Sequence, residues 1–186
     1  MKLASQFIKE LQELINVKEV KLTTKDKALC LCYKLFYNEY PDFSSKDINI
    51  KMQTMLSLLD EFGICTLENY SFKLNSKKMP VSITLSQDIY KLTPLGKIEE
   101  VDKSLRIDYE IEREIKIVSR EIKKHIPEDT NELEFLKKIN TIFYCSRNCL
   151  PTHAAIESIA EVCEYPIEEI DSTIKLIRKI ERKKYN

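Results

Sequence analysis

With 186 residues, 43% of them hydrophobic, the chain can bury a core as one large domain or two small ones. Thirty Lys and Arg against thirty Asp and Glu cancel, which excludes a globally cationic nucleic-acid binder and confines any such surface to a local patch. Residues 1–97 hold 14 basic and 11 acidic side chains and residues 98–186 hold 16 and 19, so the positive excess lies in the first half.

No apolar run approaches the roughly 20 residues that span a bilayer. The opening "MKLASQFIKELQELINV" mixes both charges into an amphipathic pattern, unlike a signal peptide. These features imply a cytoplasmic protein without membrane contact, whose six cysteines are reduced.

In chain order, Phe7, Leu11, Leu14 and Ile15 predict a first helix over about residues 5–17. Thr23 and Thr24 offer N-caps for a second, through "KDKALCLCYKLFYNEY", which Pro41 ends. Its Cys30 and Cys32 fit core packing. A third helix follows Ser44 and Ser45 and closes at Gly63, with Ile48, Met52, Met55, Leu59 and Phe62 on one face. The opposite face carries Asn49, Lys51, Gln53, Thr54 and Ser57, short polar and basic side chains of the type that reach base edges and phosphates. Beyond Gly63 the period shortens to two. "ICTLENYSFKL" and "PVSITLSQDIYKLT" read as strands, joined by the turn-rich "NSKKMP" with Lys77 and Lys78 at its tip and Lys73 on the incoming strand.

This order of elements, with Leu59 before Gly63-Ile64 and then Tyr90, Leu92, Thr93 and Gly96 in "YKLTPLGK", resembles the winged helix-turn-helix superfamily, especially its MarR- and PadR-like branches. The resemblance covers residues 24–97 and puts the two glycines where the family has them. It implies a winged-helix domain over residues 1–97, with Thr93 capping the next helix and Pro94 in its first turn. The departure is that the 18 residues between Ser44 and Gly63 hold one helix where the family fits two.

From residue 98 to 126 the pattern predicts one long linker or dimerisation helix, with a heptad-like seam of Ile98, Val101, Leu105, Ile111, Ile115, Val118 and Ile122 interrupted near Asp108. Residues 127–186 predict a C-terminal helical bundle: a helix capped near Thr130, another capped by Thr152, and a last one opening at Pro166 with Ile167, Ile170, Ile174 and Ile177 inward. Its basic end, from Lys175 to Lys184, suits the helix dipole. Cys145, Cys149 and His153, four residues apart, with Cys163 beyond, could share a metal or be buried thiols, although Pro151 breaks the register and there is no Cys-x-x-Cys knuckle.

No Gly-rich phosphate loop, nucleophile elbow or distinct catalytic pair is present, so no cofactor is assigned and the chain reads as noncatalytic. The expected fold class is thus mainly α with a small β-hairpin wing. The expected function is a dimeric winged-helix regulator binding double-stranded DNA, with Asn49, Lys51, Gln53, Thr54 and Ser57 toward the groove and Lys73, Lys77 and Lys78 on flanking phosphates. The alternatives are a protein-interaction subunit of a nucleic-acid-processing assembly, docking through the C-terminal helices, and a ligand- or redox-responsive regulator using Cys145 and Cys149.

Overall fold

The computed structural model describes residues 21–64, 70–101, 105–147 and 152–185. The helix expected over residues 5–17, and Cys149, lie outside them.

Helix α1 (Thr24–Tyr37) starts at a capping box: the Thr23 hydroxyl accepts from the Asp26 amide at 3.2 Å while the Asp26 carboxylate accepts from the Thr23 amide at 2.8 Å. It ends at Asn38, in the left-handed region at φ 65°. Leu29, Cys30, Cys32, Tyr33 and Phe36 are buried, and burial pushes both thiols up to about 12.

Helix α2 (Ile48–Glu61) is inaccessible all round from residue 52 to residue 59. This corrects the expected polar face: Gln53, Thr54 and Ser57 are 1%, 0% and 0% exposed. The run from Met52 to Leu59 carries no charge, and neighbours on several sides cover it. Gly63 closes α2 at φ 68°, with Ile64 N donating to Leu59 O at 2.8 Å and Gly63 N to Asp60 O, a left-handed cap as the sequence suggests.

A two-stranded antiparallel hairpin follows, β1 (Lys73–Leu74) and β2 (Pro80–Val81), with Lys73 opposite Val81. The next segment is a correction. Residues 83–92 are helix α3 (Ile83–Leu92), not strand, because Ser82 caps it by accepting from Leu85 N and its core face is Leu85, Ile89 and Leu92. Thr93 and Pro94 form a short 3-10 turn instead of starting the next helix, and Gly96 reverses the chain at φ 61°. Residues 96–98 then pair antiparallel with 41–43: Phe43 N donates to Gly96 O at 2.9 Å and Ile98 N to Pro41 O at 3.0 Å.

The long helix expected over 98–126 is shorter in the structure. Asp108, where the seam is interrupted, is the N-cap of α4 (Tyr109–Lys123), accepting from Glu110 N at 2.8 Å. Its seam residues Ile115, Val118 and Ile122 are fully buried against the chain's own helices, chiefly α1 and a C-terminal helix. Helices α5 (Glu132–Ser146), α6 (His153–Cys163) and α7 (Ile167–Lys184) complete the bundle, capped by Asn131, Thr152 and Pro166. Among the expected inner residues of α7, Ile167 is 40% exposed.

One apolar cluster runs from α1 and α2 through α4 to α5 and α7, while Ile142, Ile159, Cys163, Ile170 and Ile174 form a satellite beneath α6. At the end of α7, Lys184 Nζ, 6% exposed, donates to Phe62 O at 2.6 Å and so satisfies a carbonyl at the end of α2. No described helix is long and apolar enough to cross a membrane.

Thr54 Oγ1 and Ser57 Oγ are buried with no hydrogen-bond partner among the described protein atoms. Thr54→Val removes an unsatisfied hydroxyl at nearly constant volume, so it is expected to stabilise by about 1 kcal/mol in urea denaturation. A loss of similar size would mean that ordered water serves the hydroxyl instead.

Candidate nucleic-acid interface

Helix α3 stands out by what it leaves uncovered. Ile83, Gln87 and Tyr90 lie on one helical stripe, flanked by Thr84 and Lys91, and all five are exposed; Ile83 and Tyr90 are 76% and 80% accessible. A groove of about 650 Å³ runs between this side of α3 and the start of α2 with residues 43–46. Among the described residues, the charged side chains lining it are Lys46 and Lys91, so the patch is locally cationic on a neutral protein.

The helix is held rigidly. The buried Gln53 amide grips its N-cap residue through both backbone groups: Nε2 donates to Ser82 O and Ser82 N donates to Oε1, each at 2.8 Å. Nε2 also donates to Ser86 Oγ at 2.9 Å, and Ser86 Oγ donates to Asn49 Oδ1 at 3.3 Å. On the far flank Asp88 accepts from Lys25 at 2.8 Å, Tyr70 OH at 3.2 Å and Lys91 at 3.4 Å. Burial raises the Asp88 pKa, but these bonds, that of Lys25 foremost, outweigh it and hold the carboxyl below its ordinary value.

The residues singled out from the sequence are dispersed. Asn49 is exposed beside Ser86 and shares a cavity of about 290 Å³ with Lys77 at the hairpin tip. Lys51 is turned the other way, pairing with Glu39 at 3.4 Å and lying over the Tyr37 ring. Gln53, Thr54 and Ser57 are interior and cannot meet a groove in this conformation. Lys73 is exposed on β1. Lys78 is half-buried at φ 58°, and its carbonyl accepts from Thr141 Oγ1 of α5 at 3.0 Å, so the tip leans on the C-terminal bundle. Tyr144 OH donates to Phe72 O at 2.9 Å and holds the hairpin's base to the same helix. Sequence reasoning missed Thr84, Gln87, Tyr90 and Lys91; the signal for them was Ser82 as an N-cap.

Cys149 of the candidate metal set lies outside the described residues, and no group of three or more His, Cys, Asp and Glu that could hold a metal occurs among those described. His153 is 80% exposed and faces Glu157 at 3.2 Å, while Cys145 packs against the cluster that holds Cys163. No family model, curated protein or solved structure matches the chain, so function must be argued from this surface.

Proposed function

We propose that this chain is a noncatalytic duplex-DNA-binding protein of winged-helix type in which α2 and α3 are the helix-turn-helix pair and α3 enters the major groove. The observation that carries the reading is the exposed row Thr84, Gln87, Tyr90 and Lys91 on a helix clamped at its N-terminus by Gln53. The order of elements supports it. Helix α1, the extended residues 41–43, α2, α3 and then the segment paired back at 96–98 follow the winged-helix order, with the 73–81 hairpin inserted between the two helices. The place of the wing then falls to residues after Gly96. Lys77, beside the start of α3, remains suited to a phosphate there, where the helix dipole adds its positive end.

The test is fluorescence anisotropy with random-sequence duplex DNA across a salt series. Saturable binding that weakens with salt is expected. Gln87→Glu with Lys91→Glu should weaken it roughly tenfold or more while lowering the log–log salt slope by about 0.9 for each phosphate no longer neutralised. No binding at low salt, or a double variant that binds as tightly as the parent, removes the reading.

A second reading rests on Ile83 and Tyr90, two large apolar side chains exposed beside a groove lined also by Phe43 and Ile89. Here α3 docks a protein within a nucleic-acid-processing assembly. It predicts a complex that survives about 0.5 M salt, where surface electrostatics are screened, and that Ile83→Ala with Tyr90→Ala disrupts.

A further inference from the structure

Cys145, near the end of α5, and Cys163, the last residue of α6, pack in the same satellite core, close enough for each sulfur to bias the other's titration. They come from different helices and both are reduced. Cys163 is 5% exposed but lines a cavity of about 280 Å³ with Lys78, Glu164 and Tyr165, and Cys145 is half-buried. We propose that Cys145 and Cys163 are a redox-active dithiol that closes to a disulfide between α5 and α6 when the protein meets hydrogen peroxide.

The two thiols have distinct parts. The neighbouring Cys163 thiol lowers the Cys145 pKa against the opposing effect of burial, with Arg147 and Lys78 adding smaller favourable charge and Glu61 opposing them. The neighbouring Cys145, together with burial, raises Cys163. Cys145 is therefore the attacking thiolate and Cys163 the resolving thiol. The Cys145 thiolate attacks one peroxide oxygen, breaking the O–O bond to give a sulfenic acid and hydroxide. Cys163 then attacks the sulfenic sulfur, the S–S bond forms, its proton and the hydroxyl leave as water, and peroxide has taken two electrons from the two sulfurs.

The partner differs from the one the spacing of Cys145 and Cys149 suggests, and shared packing in the satellite core selects it. The cross-link closes a loop of about 18 residues and ties α6 to α5 beside the Lys78 tip, so oxidation should raise the melting temperature by roughly 5–10 °C.

The reduced full-length protein would be treated with a few equivalents of hydrogen peroxide, alkylated after denaturation, and mapped by peptide mass. The expected result is a mass lower by about 2 Da before alkylation, a Cys145–Cys163 peptide as the main product, and reversal by dithiothreitol. Cys163→Ser should instead accumulate a dimedone-reactive sulfenic acid on Cys145, and Cys149→Ser should leave the cross-link unchanged. Mapping the unsubstituted chain keeps the test independent of whether a variant folds. A Cys145–Cys149 bond, a sulfenic acid mainly on Cys163, or no intramolecular bond would overturn the proposal.

Discussion

Gln53→Leu is expected to unfold at a melting temperature roughly 6–15 °C lower than the parent, from the loss of about 2–5 kcal/mol. Leucine matches the glutamine stem and keeps the apolar contacts of α2, so the loss isolates the amide. Its removal strands the N–H of Ser82, a residue 1% exposed, where water cannot readily replace the bond, and leaves the Ser82 C=O with the Ser86 amide alone. The damage should be local as well as global. Hydrogen exchange at the first turn of α3 should quicken more than in α5, and the DNA affinity should fall with it if the clamp pre-organises the reading helix. Gln53→Glu supplies the sign test. Its carboxylate can still accept from Ser82 N but opposes Ser82 O, so the folded state favours the protonated form and raises that pKa above its unfolded value. The variant should then be least stable at neutral pH and recover relative to the parent as pH falls. Unchanged stability of Gln53→Leu would show that the clamp holds nothing.

How far the sequence led depended on whether the deciding contacts were local. Thr23 before α1, Gly63 after α2, Thr152 before α6 and Pro166 before α7 were all legible, since each satisfies backbone groups within a few residues. Helix α3 reads wrongly as strand because Val81, Ile83 and Leu85 fit a two-residue period as well as a helix, and only the longer run Leu85, Ile89 and Leu92 separates them. Asp108 looks like an interruption of a heptad and is in fact a cap. The polar side of α2 failed for a different reason: what covers Gln53, Thr54 and Ser57 comes from α3, the hairpin and α5, elements up to 90 positions away. The charge-free stretch between Lys51 and Asp60 was the one available warning. Displacement of the candidate interface from α2 to α3 follows from that covering, because a polar side chain can read DNA only where the fold leaves it outside.

Acid stability offers the other large effect, centred on Glu121. This carboxylate is 2% exposed, yet it accepts from Lys183 at 2.6 Å, from Lys124 at 3.0 Å and from Arg120 at 3.3 Å, and so ties α4 to the end of α7. The bonds from Lys183 and then Lys124 outweigh burial and hold its pKa down at about 2. Because the folded value is depressed, the stabilisation is fully present above the unfolded value near 4.5 and is lost as pH falls toward 2. Glu121→Gln keeps the shape and removes the charge. The three cations remain 45–64% exposed and keep part of their hydration, so the loss at pH 7 should be about 1–3 kcal/mol, less than for a fully enclosed pair. Urea midpoints of parent and variant should therefore differ at pH 7 and converge by about pH 2. His125 adjoins the cluster through Lys179 and the Glu121 carbonyl but is common to both proteins, as are the other carboxyls, so the difference between the two curves reports Glu121 alone. A difference that stays constant from pH 7 to pH 2 would mean that Glu121 contributes shape and not charge. The link from α4 to α7 would then rest on Lys184 and the apolar contacts around Ile180.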